Sequence, residues 1–147
     1  MCKITETEKE KCITNFQKEI ENLEPISFEQ NTKWKENFPK AAGVYFGYLE
    51  GELSYIGETA ELYSRMNDLR NTYNHTLRKK LGKIKLALEL ENNKFSEQDE
   101  SKLNNYMETN LTIKALAVNF GRKEIEDVLV EKYKTTLLNS VSLRGKK

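Results

Sequence analysis

The chain has two cysteines, Cys2 and Cys12, and one histidine, His75, in 147 residues. Neither cysteine has a partner at metal-ligand spacing, which argues against a structural zinc site. Free thiols of this kind fit a reducing compartment. Long apolar runs are missing as well: no stretch approaches the roughly 20 residues that cross a bilayer. The N-terminus is charged throughout and lacks the apolar core of a signal peptide. A soluble, cytoplasmic protein with no membrane partner is expected. An excess of charge of one sign is also absent, since 24 basic residues against 23 acidic ones leave a net charge of +1. The overall balance therefore does not mark a nucleic-acid binder.

The distribution of charge is more informative than its sum. From Glu61 to Lys85 there are seven basic residues and two acidic ones, whereas Glu89 to Glu100 holds five acidic residues and one lysine. A basic segment beside an acidic one suits an anion on one face, or simply two solvated helix faces. The length fits one domain with its own core. Residues 5–23 carry Ile13, Phe16, Ile20 and Leu23 at helical spacing up to Pro25 and read as an N-terminal helical arm. A second short helix is expected over Phe28–Phe38, around Trp34. Ala42–Leu49 and Leu53–Ile56 read as a hairpin turning at Glu50-Gly51. Helices are expected over Ala60–Arg70, His75–Leu81 and Lys83–Leu90. A further helix starts at Ser96 and runs to about Met107, with Asp99 at its third position, and a third strand covers Leu111 to Ala117. The last helix is expected over Arg122–Leu138. The fold class is α+β: a small three-stranded antiparallel sheet flanked by helices. Residues 1–40 form the arm, 41–147 the main domain, and about 83–110 a helical insertion within it.

Several polar residues stand where apolar ones belong. Arg65 falls on the stripe made by Leu62, Met66 and Leu69. A guanidinium there needs an anion, either a bidentate phosphate or an internal carboxylate reached by snorkelling. Glu126 falls among Leu129, Val130, Tyr133 and Leu137 and needs a cation, which Arg65 or a divalent metal could supply. Tyr45 and Tyr55 lie on adjacent strands, each sharing a face with a glycine, Gly47 and Gly57 respectively. Those glycines would leave open space where a phosphate could approach, unless the tyrosines are ordinary core residues. His75 opens a basic helix carrying Arg78, Lys79 and Lys80, and is either a proton-transfer group or an exposed loop residue. Asn139 is either a helix-terminal residue or a polar group of the same site.

Gly43-Val44-Tyr45 and Tyr55-Ile56-Gly57, with their tyrosines ten residues apart and Arg65 eight residues after Gly57, resemble the signature of the GIY-YIG nuclease family. The likeness runs from Gly43 to Asn139 and includes Glu126 in Glu-x-x-Leu-Val. It implies a metal-dependent DNA endonuclease using Mg²⁺ or Mn²⁺. Glu126 would be the metal ligand and Arg65 the phosphate group. Tyr45 would receive or relay a proton with help from His75, Tyr55 would position water or phosphate, and Asn139 would close the catalytic set. Gly57, Arg70, Arg78, Lys79 and Lys80 would meet the DNA. The sequence departs from the family pattern at Leu69, where a histidine or tyrosine is common, and at Glu58, where a lysine is frequent. These two departures keep open a catalytically inactive nucleic-acid-binding module. With no separate DNA-binding domain evident, specificity is expected from the insertion, the arm or a homodimer partner.

Overall fold

In the computed structural model of the chain, residues 5–140 are described; Cys2 lies outside them. Helix α1 (Glu6–Glu21) forms where Ile13, Phe16 and Ile20 share one buried face. Thr5 caps it, its hydroxyl accepting from the Glu8 amide at 3.1 Å. After Pro25 comes a two-residue strand, β1 (Ile26–Ser27), so the sheet has four strands where three were expected. The helix expected over Phe28–Phe38 is only a 3-10 turn at Trp34–Asn37. Trp34 decides this: its indole N–H donates to the Ser27 carbonyl at 2.7 Å, and its ring stands edge-on between Phe28 and Phe38. That packing fixes the segment in a shape a regular helix could not keep.

Strands β2 (Gly43–Leu49) and β3 (Glu52–Thr59) form the hairpin. Its two turn residues, Glu50 and Gly51, have φ of 51° and 84°, the left-handed pair that matches strand twist. Helices α2 (Leu62–Asp68), α3 (Thr76–Lys80) and α4 (Glu97–Asn110) follow, then β4 (Leu111–Ala117) and α5 (Arg122–Lys132). All pairings are antiparallel, in the order β1-β4-β2-β3. Strand β2 is therefore central and β3 is an edge. Tyr45, Tyr55 and Ile113 pack against Leu62, Met66, Leu77, Leu103 and Met107 on one face. Val44, Phe46 and Ile56 pack against α1, Ile125 and Leu129 on the other. The sheet is thus the middle of three layers.

Two expected helices are corrected. Over Lys83–Leu90 only a widened π turn, Leu81–Lys85, continues α3. It ends because Ala87 takes a left-handed φ of 55° and the Leu88 amide folds back to the Gly82 carbonyl at 2.9 Å. A side chain at Gly82 would strike the Phe95 ring. Helix α5 stops at Lys132 rather than Leu138. Beyond it the chain bends so that Leu137 joins one core and Leu138 the other.

Helix α4 is an integral layer rather than an outlying insertion. Leu103 and Met107 are fully buried, and a polar network ties the helix to α3. Arg78, 2 % exposed, donates to Glu100 at 2.9 Å, Asn104 at 2.6 Å, Thr72 at 2.9 Å and the Leu69 carbonyl at 3.3 Å. A guanidinium taken out of water this far is tolerable only when its N–H groups are matched. Glu100→Ala should lower unfolding stability by about 3 kcal/mol in urea denaturation, because it strands a buried charge. A loss within experimental error would mean that Asn104 and Thr72 suffice.

Candidate active site

The site begins with two cross-strand pairs. Tyr45 lies opposite Gly57, and Gly47 lies opposite Tyr55. A directly opposed pair shares one face of a sheet, so Tyr45 leans over Gly57 and the two tyrosines become diagonal neighbours. Their ring centroids are 6.2 Å apart. The glycines do not leave the open space expected of them. A Cβ on Gly57 would collide with the Tyr45 ring and hydroxyl, and one on Gly47 would come within 3.2 Å of Leu77. The missing side chain of Gly57 seats the Tyr45 phenol, and that of Gly47 makes room for Leu77.

His75 is fully buried, which excludes the exposed-loop alternative. Its backbone is extended as the N-cap of α3, and its Nδ1 accepts the Leu77 amide at 3.1 Å. Nδ1 therefore holds a lone pair, and in the neutral ring the proton sits on Nε2. Nε2 lies 3.2 Å from the Tyr45 hydroxyl, so the imidazole donates to the phenol. Burial, reinforced by the charges of Arg65 and Arg78, holds the His75 pKa well below its ordinary 6.5.

Arg65 projects from α2, half-buried, beside Leu62 and Met66, which are wholly buried. It donates to the Asn74 carbonyl at 2.9 Å, lies 3.7 Å from Asp68 and interacts electrostatically with Tyr45. Its ion pair is with Asp68, not Glu126. Burial opposes its charge, but Tyr45, Tyr55 and Asp68 outweigh that and raise its pKa. Burial, aided by Tyr55, pushes the Tyr45 pKa up against the pull of Arg65. Tyr55 is raised by burial too, while the Tyr45 hydroxyl bonded to it pulls the other way. Both phenols are protonated at rest.

Glu126 comes from the opposite helical layer, around the free edge of β3. It is half-buried on α5, next to buried Ile125, and the Glu58 backbone acts on its carboxylate, favouring the charged form. Burial raises its pKa, followed by the negative charge of Glu58. Its charge acts on both Tyr45 and Tyr55. Tyr45, Tyr55, Arg65, His75 and Glu126 thus form one neighbourhood.

The remaining expected residues lie elsewhere. Asn139 clamps the edge strand: its Oδ1 accepts the Ile56 amide at 3.0 Å, and its Nδ2 donates to the Ile56 carbonyl at 2.6 Å. Arg78 and Lys80 were expected on a phosphate-facing surface and are corrected. Arg78 is buried in the α4 network, and Lys80 donates to the Leu138 and Asn139 carbonyls at 2.8 and 2.9 Å. Arg70 is half-buried and donates to Gln30 and Asn67. Lys79 lies over the exposed Tyr73 ring. One partner was missed in the sequence: Arg122, whose Nε lies 2.7 Å from the Glu58 carboxylate. The available signal was its place one helical turn before Glu126.

A divalent metal fits this site by donor chemistry. Glu126 offers hard carboxylate oxygens, and Mg²⁺ is commonly held by one or two carboxylates, waters and substrate phosphate rather than by a full protein cage. No cluster of three or more His, Cys, Asp or Glu that could hold an ion occurs among the described residues. Comparison with known proteins gives one finding. Residues 50–142 match the family model for the GIY-YIG catalytic domain. That span holds Tyr55, Arg65, His75, Glu126 and Asn139 and begins after Tyr45. Neither the curated proteins nor the solved structures give a match.

Two outcomes test this geometry. Gly57→Ala should destabilise the fold by about 1–3 kcal/mol through overpacking against Tyr45; a neutral effect on the melting temperature would show that the ring is not seated there. His75 is neutral when folded and titrates near 6.5 when unfolded, so the unfolded chain binds the extra proton. Stability from this group is complete above that value and falls as the pH drops below it, by up to about 1.4 kcal/mol per pH unit. His75→Asn keeps a capping acceptor, and its stability should lack that slope between about pH 6.5 and 5. Equal slopes in both proteins would contradict the buried neutral ring.

Proposed function

The chain belongs to the GIY-YIG nuclease family, and we propose that it is a metal-dependent endonuclease that hydrolyses DNA phosphodiester bonds. The observation that carries this reading is the convergence of two phenols, a guanidinium, a neutral imidazole and a half-buried carboxylate at one end of the sheet. Nuclease chemistry at the family level follows from membership. The assignment of roles and the choice of Mg²⁺ or Mn²⁺ are this proposal.

Glu126 would hold the metal. When bound, the ion supplies positive charge to the scissile phosphate and the leaving oxygen. Arg65 faces the phosphate, where its planar fork matches two oxygens and its fixed charge stabilises negative charge developing during attack. Tyr45 receives or relays the proton of the attacking water. Its burial opposes ionisation, but its oxygen sits under the Nε2–H of His75 and feels the charge of Arg65, both of which stabilise a phenolate. His75 therefore helps as a hydrogen-bond donor and not as a second base. Tyr55, slightly more exposed at 7 % against 1 % for Tyr45, positions the water or phosphate. Asn139 acts at a distance, holding β3 through Ile56. Lys79 and Arg70 remain as DNA contacts, and Gly57 contributes by letting Tyr45 close against the strand.

The two features that favour an inactive nucleic-acid-binding module lose force. Leu69 is wholly buried in the core, so a substitution there does not leave a gap at the phenols. The negative charge of Glu58 is paired with Arg122. The test is incubation with supercoiled plasmid and Mg²⁺, Mn²⁺ or EDTA. Wild type should nick or linearise the plasmid only with metal. Glu126→Ala should lose at least about a hundredfold in rate while still binding DNA in EDTA. Cutting by Glu126→Ala at the wild-type rate would remove Glu126 from the chemistry, and DNA binding without cutting on any substrate would favour the binding module.

A further inference from the structure

The Glu58–Arg122 pair is left over once the catalytic neighbourhood has been described. Glu58 directly follows Tyr55-Ile56-Gly57, and Arg122 lies four residues before Glu126 on the same helix face. Glu58 meets that face through its side chain: its carboxylate takes the Arg122 Nε–H at 2.7 Å. Its charge and its backbone also act on the Glu126 carboxylate. The pair is only partly open to solvent, with 31 % of the Arg122 side chain and 20 % of the Glu58 side chain exposed. Neither fold nor core demands it, because α5 is held to the sheet by Ile125 and Leu129.

Charge explains the arrangement. Glu126 acts on both phenols, and the charges of Glu58 and Asp127 act in turn on Glu126. The cation of the cluster on the other side is Arg65, which already shares its charge with Asp68. A DNA phosphate entering here adds a further negative charge in a setting where like charges are costly. We propose that Arg122 is a positioning residue for the substrate: it neutralises Glu58, so that a DNA phosphate can be seated beside Glu126. This rests on the nuclease reading and specifies how that site admits its anion. Arg122 acts through Glu58, and its effect should vanish when Glu58 carries no charge.

That dependence gives a test whose sign separates charge from architecture. Binding of a fluorescently labelled DNA duplex is measured by anisotropy in EDTA, at about 50 and 200 mM salt, for wild type, Arg122→Ala, Glu58→Gln and the double variant. Arg122→Ala should weaken binding roughly tenfold at the lower salt, and less at the higher. Glu58→Gln should bind at least as tightly as wild type, and the double variant should recover most of the loss. A purely structural pair gives the opposite pattern, in which both single variants weaken binding alike and the double variant recovers nothing. That result overturns the proposal. Glu58→Gln alone decides the matter if Arg122→Ala does not fold, since weakened DNA binding by Glu58→Gln contradicts it. Wild type that neither binds nor cuts DNA removes the nuclease reading, and the inference with it; wild type that binds, with the structural pattern in the variants, removes the inference alone.

Discussion

The packing of Tyr45 over Gly57, across one pair of strands, is the constraint on which the site depends. The register that sets Tyr45 opposite Gly57 and Tyr55 opposite Gly47 brings two phenols together on the central and edge strands. Strand sterics would allow other residues, but any Cβ at Gly57 meets the Tyr45 ring. The positions of His75, Arg65 and Glu126 then follow from what a buried phenol needs. Its oxygen takes a donor from the cap of α3 and feels the charge of Arg65 on α2, and the carboxylate arrives around the open edge of β3.

That edge is both a liability and an asset. An unpaired strand edge exposes N–H and C=O groups that invite wrong pairing. Here the Asn139 amide satisfies Ile56 on both groups. The result leaves room for α5 to place its acid within electrostatic reach of the phenols. The electrostatic design is one of restraint: the imidazole stays neutral, the phenols stay protonated, and one guanidinium beside them is shared with Asp68 and the Asn74 carbonyl. Burial sets the direction of the shifts at His75 and the two tyrosines, and the neighbouring charges modulate them.

Much of this was legible in the sequence, and the parts that were not share a cause. Arg65 and Glu126 stood out because their charges conflict with the apolar periodicity around them, and Tyr45 and Tyr55 because of the Gly-Val-Tyr and Tyr-Ile-Gly tripeptides that carry them. The hairpin and α1 were legible from equally local patterns. Arg78 and Lys80 misled because a run of basic residues reads as surface, and only the fold supplies Glu100, Asn104 and the Leu138 carbonyl as partners. The helix expected over Lys83–Leu90 failed for a non-local reason as well, since the Phe95 ring lies against Gly82 from the next loop. Strand β1 was too short to carry a period and exists because β4 offers it an edge. The Glu58–Arg122 pair joins residues 64 positions apart, and nothing in either local pattern names the other.

The most direct test of the central claim, that the buried phenol pair is where DNA is cut, is single-turnover cleavage by Tyr45→Phe. The change removes one oxygen and keeps the ring over Gly57. The account expects a rate loss of roughly a hundredfold or more, with DNA affinity in EDTA unchanged and the fold intact by circular dichroism. Cleavage at the wild-type rate would contradict it and place the chemistry elsewhere on the molecule.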